Sequence, residues 1–179
     1  MSKINAKFYC IFSTAWGQMA ALANKDGLLM GVILPHYQKD DLLAMLAWDY
    51  KKAVQDDAPF EKFIAQSRRY FNGELPDFSG IEMDMSDAGN FYGKVYRACM
   101  TIPFGKTVSY RELAVMIGSE EAARPVATAM SRNPLPLIVP CHRVIHSDGT
   151  PGGFSAAGGV NMKLRMIEHE KKLKIKITK

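Results

Sequence analysis

The chemistry of this chain concentrates where residues 137–149 read LIVPCHRVIHSDG. Cys141 and His142 set a thiol beside an imidazole. A free cysteine is only a few per cent thiolate near neutral pH, and the thiolate is the nucleophile. A neighbouring imidazole can take the proton, and a carboxylate on its far side can orient the ring. The run Leu137, Ile138, Val139 and Pro140 reads as a buried strand that ends at the proline, which cannot donate to a ladder. Adjacent strand residues point to opposite faces, so contact between Cys141 and His142 needs a turn here or a bridging water. For the isolated pair, the plainer reading is that Cys141 is a small buried hydrophobe.

The elements that must position this pair follow from periodicity and punctuation. Residues 7–34 read as strands (FYCIF, MAALAN and NKDGLLMGVIL), with Asp26-Gly27 as a hairpin signal between two apolar runs. Residues 41–52 read as a helix with Asp40 or Asp41 near its N-cap. Residues 59–72 form a stronger helical pattern: Pro59 suits the first turn, Phe60, Phe63, Ile64 and Phe71 recur at helical spacing, and Gly73 is the stop. Residues 74–80 read as a linker, and IEMDMSD (81–87) alternates like a strand. A helix over 90–101 and a turn over 102–106 follow. Ser109 and Glu112 then form an S-x-x-E capping box. Leu113, Met116 and Ile117 share one face of the helix it opens, and Gly118 ends that helix. Residues 122–133 read as a second helix beginning close to Arg124–Pro125, because proline is excluded from a helix interior. Two short helices about a Gly-containing turn make a helix-turn-helix candidate. After the Gly-rich loop GTPGGFSAAGG, residues 160–173 form a last helix with Val160, Leu164 and Ile167 at helical spacing.

A chain of 179 residues with 47% hydrophobic and 23% charged residues fits one ordinary globular domain or two small ones. No run of 18 or more apolar residues predicts a membrane span. The opening MSKINAKFYCIFSTAWG lacks a signal-peptide core and cleavage site, so a cytoplasmic, intracellular protein is expected. Cys10, Cys99 and Cys141 are widely spaced, with no CxxC, which suggests neither a disulfide framework nor a zinc knuckle. Residues 1–90 hold 9 Lys and Arg against 12 Asp and Glu, whereas residues 91–179 hold 14 against 6. A basic second half suggests an anionic partner such as nucleic acid. The competing reading is a solvated basic tail, since the terminal KKLKIKITK carries five of those lysines.

The residues around Cys141 decide between these readings. NPLPLIVPCHRVI (133–145) resembles the signature of the O6-alkylguanine-DNA alkyltransferase family, the methylated-DNA–protein-cysteine methyltransferases, with the PCHRV core intact from Pro140 to Val144. IPFGKTVSYRELA (102–114) resembles the family's entry to its helix-turn-helix, AARPVATAM (122–130) its recognition helix, and GGFSAAGGVNMKLRMIEHE (152–170) its substrate loop and last helix. Residues 91–170 thus match as an ordered series. TAWGQMAALANKDGLLMGV (14–32) and the run from Phe63 to Phe78 are more weakly similar to its N-terminal domain. The resemblance implies an α/β fold: an RNase H-like mixed α/β N-terminal domain, residues 1–85, followed by a mostly helical DNA-binding and catalytic domain with a helix-turn-helix, residues 86–179.

The function so implied is direct-reversal repair. The alkyl group of O6-alkylguanine, and in some members of O4-alkylthymine, passes irreversibly to the protein's own cysteine, here Cys141. His142, through a water, would be the base and Glu170 its orienting carboxylate. Tyr110 would serve O6 of the leaving guanine, its hydroxyl being a suitable donor, and Asn133 would brace the turn. Water does not cleave a thioether as it cleaves a thioester, so each molecule reacts once. The resemblance places Ala123, Arg124, Ala127, Thr128, Ser131, Arg132 and Arg143 against DNA. It places Met130, Val144, Phe154, Ser155 and Ala156 around the pocket, with backbone carbonyls of Cys141 and Val144 accepting from the guanine amino group. The partner implied is double-stranded DNA, entered from the minor groove with the damaged nucleotide flipped out. Small residues at Ala127, Ala129 and Ser131 let the helix approach, and Arg124 fills the vacated stack, as a planar guanidinium can. A monomer is expected, with clustering along DNA left open. No cofactor is implied, and Cys10 and His36 are too few to close a metal site; Cys10 and Cys99 read as core.

The sequence departs from the family pattern in three places. Tyr92 stands where members often have glutamine. Ala127 and Thr128 replace two glycines, which sets the helix slightly farther from the groove. The loop GGFSAAGG is longer than the usual form, so either Phe154 or Ala156 faces the base. Two other classes are weighed: a non-catalytic damage sensor that flips alkylguanine, against which Cys141 argues, and a Cys-His thiol hydrolase, which leaves the helix-turn-helix and Arg124 unexplained.

Overall fold

The structure, a computed structural model, describes residues 5–177, with side chains in the last helix described as far as Leu173. The first four residues of the N-terminal segment and the lysine side chains beyond Lys172 in the terminal basic run lie outside the described residues. The chain divides into two compact units, Met1–Met85 and Ser86–Lys179. Among the described residues, no helix is long and apolar enough to cross a membrane.

The first unit is a four-stranded sheet with helices on it. Strands β1 (Phe8–Thr14), β2 (Gly17–Ala23) and β3 (Leu29–Ile33) form an antiparallel meander, and β4 (Val54–Gln55) joins β1 in parallel, giving the order β3-β2-β1-β4. The loop expected at Asp26-Gly27 forms at Asn24–Leu28: Gly27 takes φ 81°, and the Asn24 side chain accepts from the N–H groups of Asp26 and Leu28. Period-two alternation sorts β1 onto two apolar layers. Tyr9 and Ile11 pack with Leu42 and Leu46 of α1 (Lys39–Asp49), while Phe12 meets Phe63 of α2 (Glu61–Phe71) edge to face at 6.0 Å. Burial on both faces explains the unbroken apolar run of β2, whose residues 19–23 are all buried. The N-cap of α1 is Gln38, and Asp40 and Asp41, expected near it, lie in the first turn, where a negative charge is favoured by the helix dipole. Gly73, at φ 83°, closes α2 with the Glu74 N–H donating back to Arg69 O. The strand expected over 81–87 is reduced to a single bridge, Leu29 with Met83, followed by a 3-10 turn at Ser86–Ala88.

The second unit is mostly helical. Helix α3 (Gly89–Met100) buries Val95, Tyr96 and Cys99. Helices α4 (Tyr110–Met116) and α5 (Ala123–Ser131) form the helix-turn-helix, and both capping-box bonds between Ser109 and Glu112 are present. Strands β5 (Val108–Ser109) and β6 (Val144–Ile145) pair in parallel. The last helix, α6 (Gly159–Ile177), does not bury the expected face: Val160 and Leu164 are exposed, while Met162, Lys163, Met166, Glu170 and Leu173 are buried. Its inner face carries two charged residues, which a count of apolar periodicity assigns to solvent.

Ser67 of α2 is fully buried, and its hydroxyl has no hydrogen-bond partner among the described residues. A buried unsatisfied hydroxyl costs free energy that its removal recovers. Ser67→Ala should therefore raise unfolding stability by about 1 kcal/mol in urea denaturation. A loss of stability would show that the hydroxyl is satisfied.

Candidate active site

Residues 137–140 do not form the expected strand. Pro134, Pro136 and Pro140 remove three donors from a short run, and no ladder forms there. Leu137 instead takes φ 83°, a left-handed conformation that costs roughly 1–2 kcal/mol and is offset by burial of its side chain. Val139 N–H closes a turn on Leu135 O at 2.9 Å. Pro140, at φ −79° and ψ 63°, centres an inverse γ-turn closed by Cys141 N–H on Val139 O at 2.7 Å. Cys141–Arg143 then form one 3-10 turn, and the strand starts only at Val144. This is the turn that bringing Cys141 and His142 together requires. Asn133 braces it from beneath: its Nδ2 donates to Val139 O at 2.8 Å, and its Oδ1 accepts from Leu135 N–H at 3.0 Å.

Glu170 collects the groups around this turn. His142 Nε2 lies 2.7 Å from Glu170 Oε1. Arg143 donates through Nε to Oε2 and through Nη2 to Oε1, each at 3.0 Å, and Gly105 N–H donates to Oε2 at 2.9 Å. Burial raises the Glu170 carboxyl pKa, but His142 and Arg143 outweigh it and bring it down to about 2. An ionised carboxylate facing Nε2 makes that nitrogen the protonated one and leaves Nδ1 as the ring's basic nitrogen. Burial lowers the basicity of His142 against the pull of Glu170, and burial raises the Cys141 thiol against hydrogen bonding from Asn133 and the charge of Lys163. The resting pair is therefore thiol and neutral imidazole.

Arg143 differs from its expected place against DNA. Its guanidinium is committed to Glu170 and, at 2.7 Å, to Ile102 O; it lies over the Phe104 ring and its side chain is 12% exposed. It clamps the 102–105 turn to α6 instead of offering a fork to phosphate. Ala129 also faces inward: it is buried, and its carbonyl accepts from Tyr96 at 3.1 Å. The outward face of α5 carries Arg124, Thr128 and Ser131, with Arg132 just beyond, while Ala123 and Ala127 are half-buried. Met130 and Val144 are buried; Phe154 and Ala156 are half-buried and Ser155 is exposed.

Sequence reasoning missed Lys163. It is 1% exposed, and its Nζ makes a long 3.4 Å contact to the Tyr110 hydroxyl and lies 5.6 Å from that ring's centroid. Burial pulls its pKa down to about 8, with the nearby Cys141 and Cys99 thiols acting to raise it. The signal was its place on α6, seven residues before Glu170 and hence two turns away on the same face. Cys10 and Cys99 are fully buried with raised thiol pKa values, and all three cysteines are free.

Residues 90–172 match the family model of the 6-O-methylguanine DNA methyltransferase DNA-binding domain. The methylated-DNA–protein-cysteine methyltransferase of Mycobacterium leprae is 44% identical over 118 residues, which cover 66% of this chain and 69% of that protein. That of Methanosarcina barkeri is 38% identical over 164 residues, covering 91% and 96%. The crystal structure of Mycobacterium tuberculosis OGT in complex with DNA superposes with a TM-score of 0.77 at 32% identity, covering 93% of this chain and 94% of that one. The mixed α/β architecture described above is therefore that of a known DNA-repair fold. The chain belongs to the methylated-DNA–protein-cysteine methyltransferase family.

The Glu170 cluster makes stability depend on pH. A carboxyl whose folded pKa is depressed contributes stability above its unfolded value, near 4.3, and loses that contribution as pH falls toward about 2. Wild type should lose stability across this window. Glu170→Gln should cost on the order of 3 kcal/mol at pH 7, because Arg143 is left buried without its counter-charge, and should flatten the acid limb. Urea unfolding at pH 7, 4.5 and 3 checks both; an unchanged acid limb would mean that Glu170 does not carry it.

Proposed function

We propose that this chain repairs O6-alkylguanine in duplex DNA by transferring the alkyl group to Cys141 in a single irreversible turnover. The observation that carries the reading is the Cys141–His142 turn held by ionised Glu170, in the same helical unit as the outward basic face of α5. Cys141 Sγ attacks the alkyl carbon in line; the S–C bond forms as the C–O6 bond breaks, and its electron pair passes to guanine. The thiol proton leaves through a water to His142 Nδ1, and the Tyr110 hydroxyl hydrogen-bonds O6 as charge develops there. The net exchange is one alkyl group to sulfur and the thiol's proton, by way of His142 and solvent, to the released guanine, which leaves His142 neutral as at the start. Lys163 lies beside Tyr110 and acts on Cys141 through its charge, so it favours both the thiolate and the leaving guanine.

The nucleotide must leave the stack to reach a buried thiol, and Arg124, Thr128, Ser131 and Arg132 form the face that meets the minor groove. Binding through phosphates with few base contacts gives strong salt dependence and little sequence preference. O4-alkylthymine is a secondary substrate on the same chemistry. The chain acts as a monomer without a cofactor, and its need for a free thiol places it in a reducing compartment such as the cytoplasm.

Intact-protein mass spectrometry tests the reading. Wild type mixed with a duplex holding one O6-methylguanine should gain one methylene, mapped to Cys141, while Cys141→Ala stays unmodified. Binding without any mass change would make the protein a damage sensor. Repeated turnover without a stable adduct would make it a hydrolase. Lys163→Met should slow transfer about 100-fold while leaving duplex affinity unchanged. Because Lys163 loses its charge above about pH 8, the wild-type rate should bend downward there and the bend should vanish in the variant. A rate that keeps rising in both proteins would remove Lys163 from the reaction.

A further inference from the structure

The parallel pair of β5 and β6 registers Val108 with Val144 and Ser109 with Ile145. The chain therefore leaves the ladder with Tyr110 and His146 side by side, and their rings lie 5.2 Å apart at 59°. His146 is exposed, yet its backbone is tied down. Its N–H donates to Thr150 O at 2.8 Å, its carbonyl accepts from Gly149 N–H at 3.0 Å, and Asp148 Oδ1 accepts from both Thr150 N–H and its hydroxyl. The imidazole also lies close to the start of the 152–158 loop. Gly152 takes φ 69°, and a Cβ there would stand 2.8 Å from the Tyr110 hydroxyl oxygen and 3.0 Å from His146 Nε2. Tyr110 and His146 thus converge on the space beside Gly152 that a side chain there would fill, at the start of the 152–158 loop.

Nothing in the chemistry of alkyl transfer uses this imidazole. An exposed ring held against the tyrosine of the site and the first residue of its loop has a mechanical consequence. It limits how far the Tyr110 ring can tilt and how closely the loop can approach it. We infer that His146 is a positioning and specificity-determining residue, which aims the Tyr110 hydroxyl and sets the gap between Tyr110 and the 152–158 loop where the base edge enters. The inference rests on the alkyl-transfer reading. Its consequence differs between substrates. A base delivered by duplex DNA is held by the flanking backbone, whereas a free O6-alkylated purine is held by the pocket walls alone and depends more on a fixed gap.

The test compares wild type, His146→Gly and His146→Phe by time-resolved intact-protein mass spectrometry, with O6-methylguanine duplex and with free O6-benzylguanine. Thermal unfolding of each variant serves as the folding control. His146→Gly should lose about tenfold in rate with the free base, near the upper end of what one ring contact contributes, and no more than about threefold with the duplex. His146→Phe, which keeps a ring beside Tyr110, should recover the free-base rate. Equal losses on both substrates, no loss on either, or failure of His146→Phe to recover the rate would each overturn the inference while wild-type transfer stands. An unreactive wild type would overturn the alkyl-transfer reading and this inference with it.

Discussion

One carboxylate organises the second unit. Glu170 is 2% exposed and accepts from the imidazole of His142, the guanidinium of Arg143 and the backbone of Gly105. These donors come from the 3-10 turn of Cys141 and from the turn that precedes the helix-turn-helix, and the carboxylate comes from α6. A buried carboxylate left without such partners would cost several kcal/mol. Held by them, it stays ionised, fixes the histidine tautomer and ties the 102–105 turn and the reactive turn to α6. Arg143 extends the same clamp to Ile102 O.

The second constraint is the short β5–β6 pair. Two residues on each side suffice to set Tyr110 beside His146, because the ladder register fixes what emerges next. The strained backbone at Leu137 and the prolines around it keep the approach to Cys141 from becoming a strand. Thiol, imidazole, hydroxyl and buried ammonium are then gathered from segments far apart in sequence. Lys163 sets a long contact with the Tyr110 hydroxyl against a burial cost that a surface lysine would not bear. In the proposed reaction, a cation placed so would be complementary to the negative charge that develops on sulfur and on the leaving guanine.

Much of this was legible in the sequence, for identifiable reasons. The capping box at Ser109 and Glu112, the glycine stop at Gly73 and the alternating strands are local signals, and local hydrogen bonds decide them. The PCHRV run marked Cys141 and His142 through its resemblance to the family signature, whereas the isolated pair reads as no more than a small buried hydrophobe. The legible part ended where tertiary partners override periodicity. On α6 the exposed Val160 and Leu164 read as core, while Lys163 drew no reading and Glu170 was reached only through the family resemblance, because each buried charge is explained by groups far away in sequence. Arg143 read as a DNA contact for the same reason: its partners, Glu170 and Ile102 O, are distant in the chain. The apolar run 137–140 looked like a strand because burial was taken for a ladder, although Pro140, with Pro134 and Pro136 just before the run, had already removed donors.

The most direct test of the account titrates a fixed amount of protein with excess O6-methylguanine duplex and follows the guanine restored over time, for wild type and Glu170→Gln. The account predicts the same endpoint for both, one adduct removed per folded chain, reached about 100-fold more slowly by the variant. An endpoint that keeps rising past one adduct per chain would contradict irreversible transfer to Cys141. A variant as fast as wild type would contradict the place given to Glu170.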